Sequence, residues 1–245
     1  MKKVVWALYD DGNCSYKKAI EKYFDGQYLV YCVGINEPPF EDTENYKYRQ
    51  IDLSVINNKL IKQLSKLPQP DIILASPPCE SWSIADCSGS MFKSIDDKGN
   101  WKVNNAEYYE NYLKNCSPVK RRYFYQKEQS RILGEATIGA TIEIIKYFNP
   151  KIWIIENPQS SKIWMYQKYH WNFLGNENLA YYSSYDNNFS KKPTVFKSNL
   201  KLNLKTNKVK SNKDHMSKGS YLKRSSVPSL LIKDIFDQIL TKLEK

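Results

Sequence analysis

No apolar run in this sequence approaches the roughly 20 residues that a membrane-spanning helix requires. The apolar stretch after Met1-Lys2-Lys3 ends at Asp10, too short for the core of a secretion signal, and reads instead as a first buried strand. Cysteine is sparse and unpatterned. There are five (Cys14, Cys32, Cys79, Cys87 and Cys116), an odd number, and no two stand at the two-residue gap of a metal-ligand pair. Neither a disulfide framework nor a metal site is therefore expected. Free thiols fit a reducing compartment, so a cytoplasmic location is expected. The two histidines, His170 and His215, have no partner pattern and read as surface residues. Internal repeats and coiled-coil heptads are also lacking. Acidic residues are in deficit, 26 against 37 basic ones, a formal net charge of +11. An excess of this size favours a polyanionic partner. A coding sequence rich in A and T would also yield many Lys, Asn, Ile and Tyr residues.

What is present begins with short apolar runs separated by amphipathic stretches. Val4 to Leu8, Tyr28 to Val33, Asp71 to Ala75 and Ile152 to Ile155 read as buried strands. Helices are expected around Ser15 to Phe24, Leu60 to Leu64, Gln129 to Phe148 and Ser229 to Leu243, with Asn149-Pro150 stopping the third. Further short strands are expected near Ala180 to Ser184 and Thr194 to Phe196. Continuous apolar strands alternating with helices imply a parallel sheet covered on both faces, an α/β fold. Residues 84 to 128 show no clear core pattern.

Two segments carry the chemistry. Ala75-Ser76-Pro77-Pro78-Cys79-Glu80-Ser81-Trp82-Ser83 follows one buried strand, and Glu156-Asn157-Pro158 follows another. Ligands of open parallel sheets bind at the carboxyl ends of the strands. Paired prolines fix the chain direction, so Cys79 stands at a rigid corner facing the same crevice as Glu156. Ser-Pro-Pro-Cys followed by Glu-Asn-Pro, in this order and 77 positions apart from Cys79 to Glu156, resembles the DNA (cytosine-5) methyltransferases, and most closely their compact phage-type and orphan members. Leu8-Tyr9-Asp10-Asp11-Gly12-Asn13-Cys14-Ser15 resembles the family's first motif more loosely, and Arg224-Ser225-Ser226-Val227-Pro228 its last.

The resemblance implies a Rossmann-like S-adenosylmethionine-dependent methyltransferase sheet with a small, reduced target-recognition lobe. Residues 1–158 would form the catalytic domain, 159–222 a small basic recognition region, and 223–245 a helix returning to the catalytic domain. Cys79 would add to carbon 6 of cytosine and make carbon 5 nucleophilic, while Glu156 would hold a proton at ring nitrogen 3. Ser76, Pro78, Asn157 and Pro158 would line the base pocket. Tyr9, Gly12 (through a tight turn), Glu37 at the end of the second strand, Asp52, Pro77 and Ser226 would receive the cofactor, S-adenosylmethionine. The partner would be double-stranded DNA, gripped in part by Lys120, Arg121 and Arg122, with RNA as an alternative and no membrane involved.

The sequence also departs from the family. Cys14 stands where a glycine is usual, and there is no Gln-Arg-x-Arg segment. The nearest stand-in is Ser190-Lys191-Lys192-Pro193-Thr194, whose lysines keep the charge but not the planar fork. These departures keep open an RNA cytosine-5 methyltransferase, an altered methyl donor, or a DNA-binding protein that retains the fold without turnover.

Overall fold

The computed structural model describes residues 2–10, 12–83, 92–95, 101–103, 105–114, 124–207, 209–212 and 214–243. The first half runs β1 (Lys3–Leu8), α1 (Ser15–Phe24), β2 (Tyr28–Gly34), β3 (Tyr46–Gln50), α2 (Asn58–Leu64), β4 (Ile72–Ala75), β5 (Phe92–Ile95), β6 (Trp101–Val103) and α3 (Ala106–Lys114). The second half runs α4 (Phe124–Phe148), β7 (Ile152–Pro158), α5 (Ile163–Tyr169), β8 (Asn176–Tyr181), β9 (Pro193–Ser198), α6 (Asp214–Ser217), α7 (Tyr221–Ser225) and α8 (Ser229–Leu243).

Seven strands form one sheet in the order β3-β2-β1-β4-β7-β9-β8, and β5 and β6 pair separately. From β3 through β7 all pairings are parallel. The sheet is α/β and Rossmann-like, but it is not parallel throughout. β9 runs antiparallel to both β7 and β8. An all-parallel reading fails here because Thr194 to Phe196 is an apolar run whose direction no periodicity encodes. The reversal also sets the sheet apart from the order 3-2-1-4-5-6 of dinucleotide-binding folds.

The apolar strands are buried on both faces. Alternate side chains of one strand enter two separate cores, as the period of two requires. Val5, Ala7, Ile72, Leu74, Ile152 and Ile154 face α1 and α8, where Phe236 packs against Phe24 and Tyr28 with ring centroids 5.6 and 5.2 Å apart. Trp6, Leu8, Ile73, Ala75, Trp153 and Ile155 face α2, α4 and α5. Asn57 starts α2 by accepting the Leu60 backbone N–H at 2.9 Å.

Several elements differ from the sequence pattern. β3 reads Tyr-Lys-Tyr-Arg-Gln, with only its two tyrosines buried, because it is an edge strand covered on one face. α4 begins at Phe124 rather than Gln129, and the strand expected at 180–184 lies at Asn176–Tyr181, followed by a 3-10 turn over Tyr182–Ser184. β8 and β9, both beyond residue 158, join the main sheet. Among the described residues no helix is long and apolar enough to cross a membrane.

Candidate active site

β4 ends at Ala75, which pairs with Ile155, but β7 continues three residues further because β9 supplies its other neighbour. Glu156 and Asn157 therefore lie inside a strand, level with the segment that follows β4. Strand alternation sends them to opposite faces. Asn157 donates through Nδ2 to the Pro77 carbonyl at 3.0 Å, tying the Pro-Pro corner to β7. Its Oδ1 is buried without a hydrogen-bond partner. The corner then folds into a tight turn, with the Trp82 and Ser83 backbone N–H groups both donating to the Cys79 carbonyl, at 3.0 and 2.9 Å. α4 backs this turn at Gly134. A Cβ on Gly134 would lie 1.9 Å from Ser81 Oγ and 2.9 Å from Trp82 Nε1, so only glycine admits this approach.

Glu156 faces the α1 side. It is 9% exposed and accepts from the Tyr182 hydroxyl at 3.2 Å. Ser76 also hydrogen-bonds Glu156, and Ser76 Oγ lies 2.8 Å from the Tyr16 hydroxyl. A buried polar chain thus runs from Tyr16 on α1 through Ser76 and Glu156 to Tyr182. Lys192 completes the group. Its ammonium lies 4.7 Å from the Tyr182 ring centroid and donates to the Arg224 carbonyl at 2.7 Å. Its backbone takes a left-handed φ of 32°, an uncommon state for a residue with a side chain.

These groups shift one another's protonation. Burial raises the Glu156 carboxyl above the ordinary range, against the opposing pull of Lys192 and the hydrogen bonds from Tyr182 and Ser76. Burial pushes the Cys79 thiol up to about 12; the charges of Glu80 and Glu156 add to this and that of Lys192 opposes it. Burial lowers the Lys192 ammonium, while Glu156 and Cys79 hold it up. Lys192 is thus the cation shared by the carboxyl and the thiol.

The donor-side residues are less tightly gathered. Tyr9 turns the chain at the end of β1 with φ 61°, and its hydroxyl donates toward the carbonyls of Leu53 (3.2 Å) and Thr137 (3.0 Å). Asp52 is exposed just past β3, and its charge reaches the Tyr9 phenol. Gly12 is exposed and does not use a positive φ; among the described residues of this loop, Tyr9 and Cys14 (φ 48°) are left-handed. Glu37 is exposed three residues beyond Gly34, which ends β2. The C-terminal segment folds back beside this loop. Val227 N–H donates to Ser15 Oγ at 3.2 Å, and Ser226 hydrogen-bonds the Lys223 carbonyl at 2.6 Å.

Pro77, Pro78 and Pro158 frame the corner, with the Pro158 carbonyl accepting from Trp164 Nε1 at 2.9 Å. Lys191 is exposed and lies over the Tyr181 ring rather than beside Glu156. Lys120, Arg121 and Arg122 lie outside the described residues. Tyr16 and Tyr182 escaped sequence reasoning, since tyrosines in a chain holding 19 of them carry no signal without the register.

No family model matches the chain, and no curated protein does. Among solved structures the chain is similar to a methyltransferase of Entamoeba histolytica, at 12% identity over 85% of this chain and 57% of that one, with a TM-score of 0.45. It is similar to a Plasmodium falciparum protein named as a ribosomal RNA methyltransferase, at 11% identity over 81% and 86%, with a TM-score of 0.40. It is also similar to a short-chain dehydrogenase of Leptospira borgpetersenii solved with bound NAD+, at 17% identity over 59% of this chain and about half of that one (48%), with a TM-score of 0.27. Likenesses this loose assign no activity, and the site itself has to carry the functional reading.

Proposed function

We propose that this protein is a DNA (cytosine-5) methyltransferase in which Cys79 is the nucleophile, Glu156 the acid and Lys192 the cation between them. The observation that carries the reading is the meeting of these three groups at the carboxyl ends of the adjacent strands β4 and β7. A buried carboxyl that favours its protonated form suits an acid serving ring nitrogen 3 of cytosine. As Cys79 sulfur bonds to carbon 6, its thiol proton is lost and negative charge would grow on the ring. A proton held at nitrogen 3 by Glu156 relieves it, and Lys192 offsets the charge that remains. Carbon 5 then becomes the nucleophile. Carbon 5 would take the methyl from the sulfonium, whose sulfur leaves as a neutral thioether; loss of the carbon 5 proton to a base, return of the nitrogen 3 proton to Glu156 and elimination of Cys79 as a thiolate that regains a proton from solvent would restore the ring and the thiol. In a duplex the target base must first leave the stack, and the basic balance of the chain suits a phosphate backbone.

The residues at the ends of β1 and β3 suit a sulfonium nucleoside. Tyr9 offers an aromatic ring and Asp52 an exposed carboxylate, both at the same end of the sheet as Cys79. Tyr9, Asp52 and the loop around Gly12 would hold S-adenosylmethionine, with Ser226 closing from the C-terminal side. When bound, this group supplies the methyl.

The test is incubation of the purified protein with duplex DNA containing 5-fluorocytosine and with S-adenosylmethionine, read by mass. Fluorine blocks the final elimination, so a protein–DNA adduct should form with wild type and be absent with Cys79→Ser. If folded, DNA-binding wild type gives no adduct on varied sequences, the reading fails.

A further inference from the structure

The loop after β1 brings together three residues that the sequence spacing keeps apart. Asp10 follows the β1 turn, Cys14 immediately precedes α1, and Cys32 lies in the middle of β2. All three are buried, and their two sulfurs and a carboxylate oxygen all lie within 4.8 Å of one another. Cys32 Sγ is 3.8 Å from Asp10 Oδ2, and Cys14 Sγ is 3.1 Å from the Asp10 carbonyl oxygen. We propose that Asp10, Cys14 and Cys32 form a binding site for a thiophilic divalent cation, best matched by zinc.

The ligand set and the spacing both support this. Two thiolates select zinc over magnesium or calcium. Zinc bonds of roughly 2.3 Å to sulfur and 2.0 Å to oxygen place tetrahedral S and O ligands about 3.5 Å apart, near the separation of Cys32 and Asp10. The Asp10 carbonyl oxygen is at hand as a fourth donor. Binding forms two metal–sulfur bonds and one metal–carboxylate bond and releases two thiol protons to solvent, with no change in oxidation state. The resulting single negative charge lies at the N-terminus of α1, where the Lys17 backbone N–H already reaches Asp10 Oδ2 at 3.3 Å. A metal here would pin the β1–α1 loop to β2. The inference does not depend on the methyl-transfer reading.

The experiment uses the full chain, reduced and stripped of metal, with Zn2+ and Co2+ as probes. One equivalent of Co2+ should give thiolate-to-cobalt charge-transfer absorption, and one equivalent of Zn2+ should displace it and raise Tm by several degrees. Cys14→Gly is the informative variant, because glycine adopts the left-handed backbone of position 14 without cost. The folded variant should lose both the absorption and the zinc-dependent rise in Tm. Asp10→Asn, which keeps the shape, should weaken Zn2+ binding at least tenfold. Should wild type show no charge transfer and a zinc-independent Tm, the thiols are only hydrogen-bonded and the proposal falls. Should Cys14→Gly keep the signal, the metal lies elsewhere and the proposal falls equally.

Discussion

The two halves of the strand-end rim are built differently. Around β4 and β7, polar side chains are tied into the fold by hydrogen bonds: Glu156 to Tyr182 and Ser76, Asn157 to the Pro77 carbonyl, Lys192 to the Arg224 carbonyl. Around β1 to β3, Gly12, Glu37 and Asp52 stand in solvent, while the phenol of Tyr9 is drawn inward, toward α4, and Asp10 and Cys14 are buried. Desolvation strengthens electrostatic effects, so chemistry belongs in the first half. Recognition of a polar nucleoside tolerates the wetter second half. Substitutions in the first should therefore cut turnover, and those in the second should change ligand affinity.

The largest effect is expected from Glu156→Gln. Losing the acid should lower methyl transfer by about 10²–10⁴-fold in a tritium-transfer assay. The same change should activate the thiol in isolation. Removing what charge Glu156 carries lets the Cys79 thiol, held up to about 12 chiefly by burial, fall somewhat, so iodoacetamide labelling at pH 8 should speed up modestly. Lys192→Met should slow labelling, because the opposing cation is gone. In wild type the labelling rate should still be climbing above pH 9, where an ordinary thiol near ~8.5 is already mostly thiolate. Labelling of wild type that levels off near pH 8 would show that burial and the neighbouring carboxylates do not hold the thiol up.

Next in size is Gly134→Ala. Alanine is the better helix former by about 1 kcal/mol, yet its Cβ would collide with Ser81 and Trp82 behind the Cys79 turn. Turnover should fall by about a hundredfold, as expected for a displacement near 1 Å of a reacting group, while α4 remains helical by circular dichroism. Tyr182→Phe should cost about tenfold, the value of one hydrogen bond to a charged group. Since that bond lowers the Glu156 pKa, its loss raises it, and the high-pH limb of the rate profile should move to higher pH. A uniform loss of rate with an unmoved limb would give Tyr182 a structural role only.

How much of this was legible in the sequence follows the same division. The apolar strands announced themselves by composition, and the Pro-Pro-Cys and Glu-Asn-Pro segments by their place directly after two of those strands. The reversal of β9 was hidden, because direction is set by the connection through β8 rather than by the strand. Tyr16 and Tyr182 reach Glu156 only through register, which depends on β7 outrunning β4. Asp10, Cys14 and Cys32 are 4 and 18 positions apart, spacings that match no ligand motif, and only the parallel pairing of β1 and β2 joins them.

The smallest effects separate Asp52 from Glu37. Both are exposed acids beyond parallel strands, but only Asp52 lies close enough for its charge to act on the Tyr9 phenol. Asp52→Ala should weaken S-adenosylmethionine binding about tenfold by calorimetry, the loss expected for one charge-assisted hydrogen bond. Glu37→Ala should leave it unchanged. Equal losses would bring the end of β2 into the donor site after all. No loss from either would move the donor away from β3, and the contrast between a dry reacting half and a wet binding half would then rest on Tyr9 and the Gly12 loop alone.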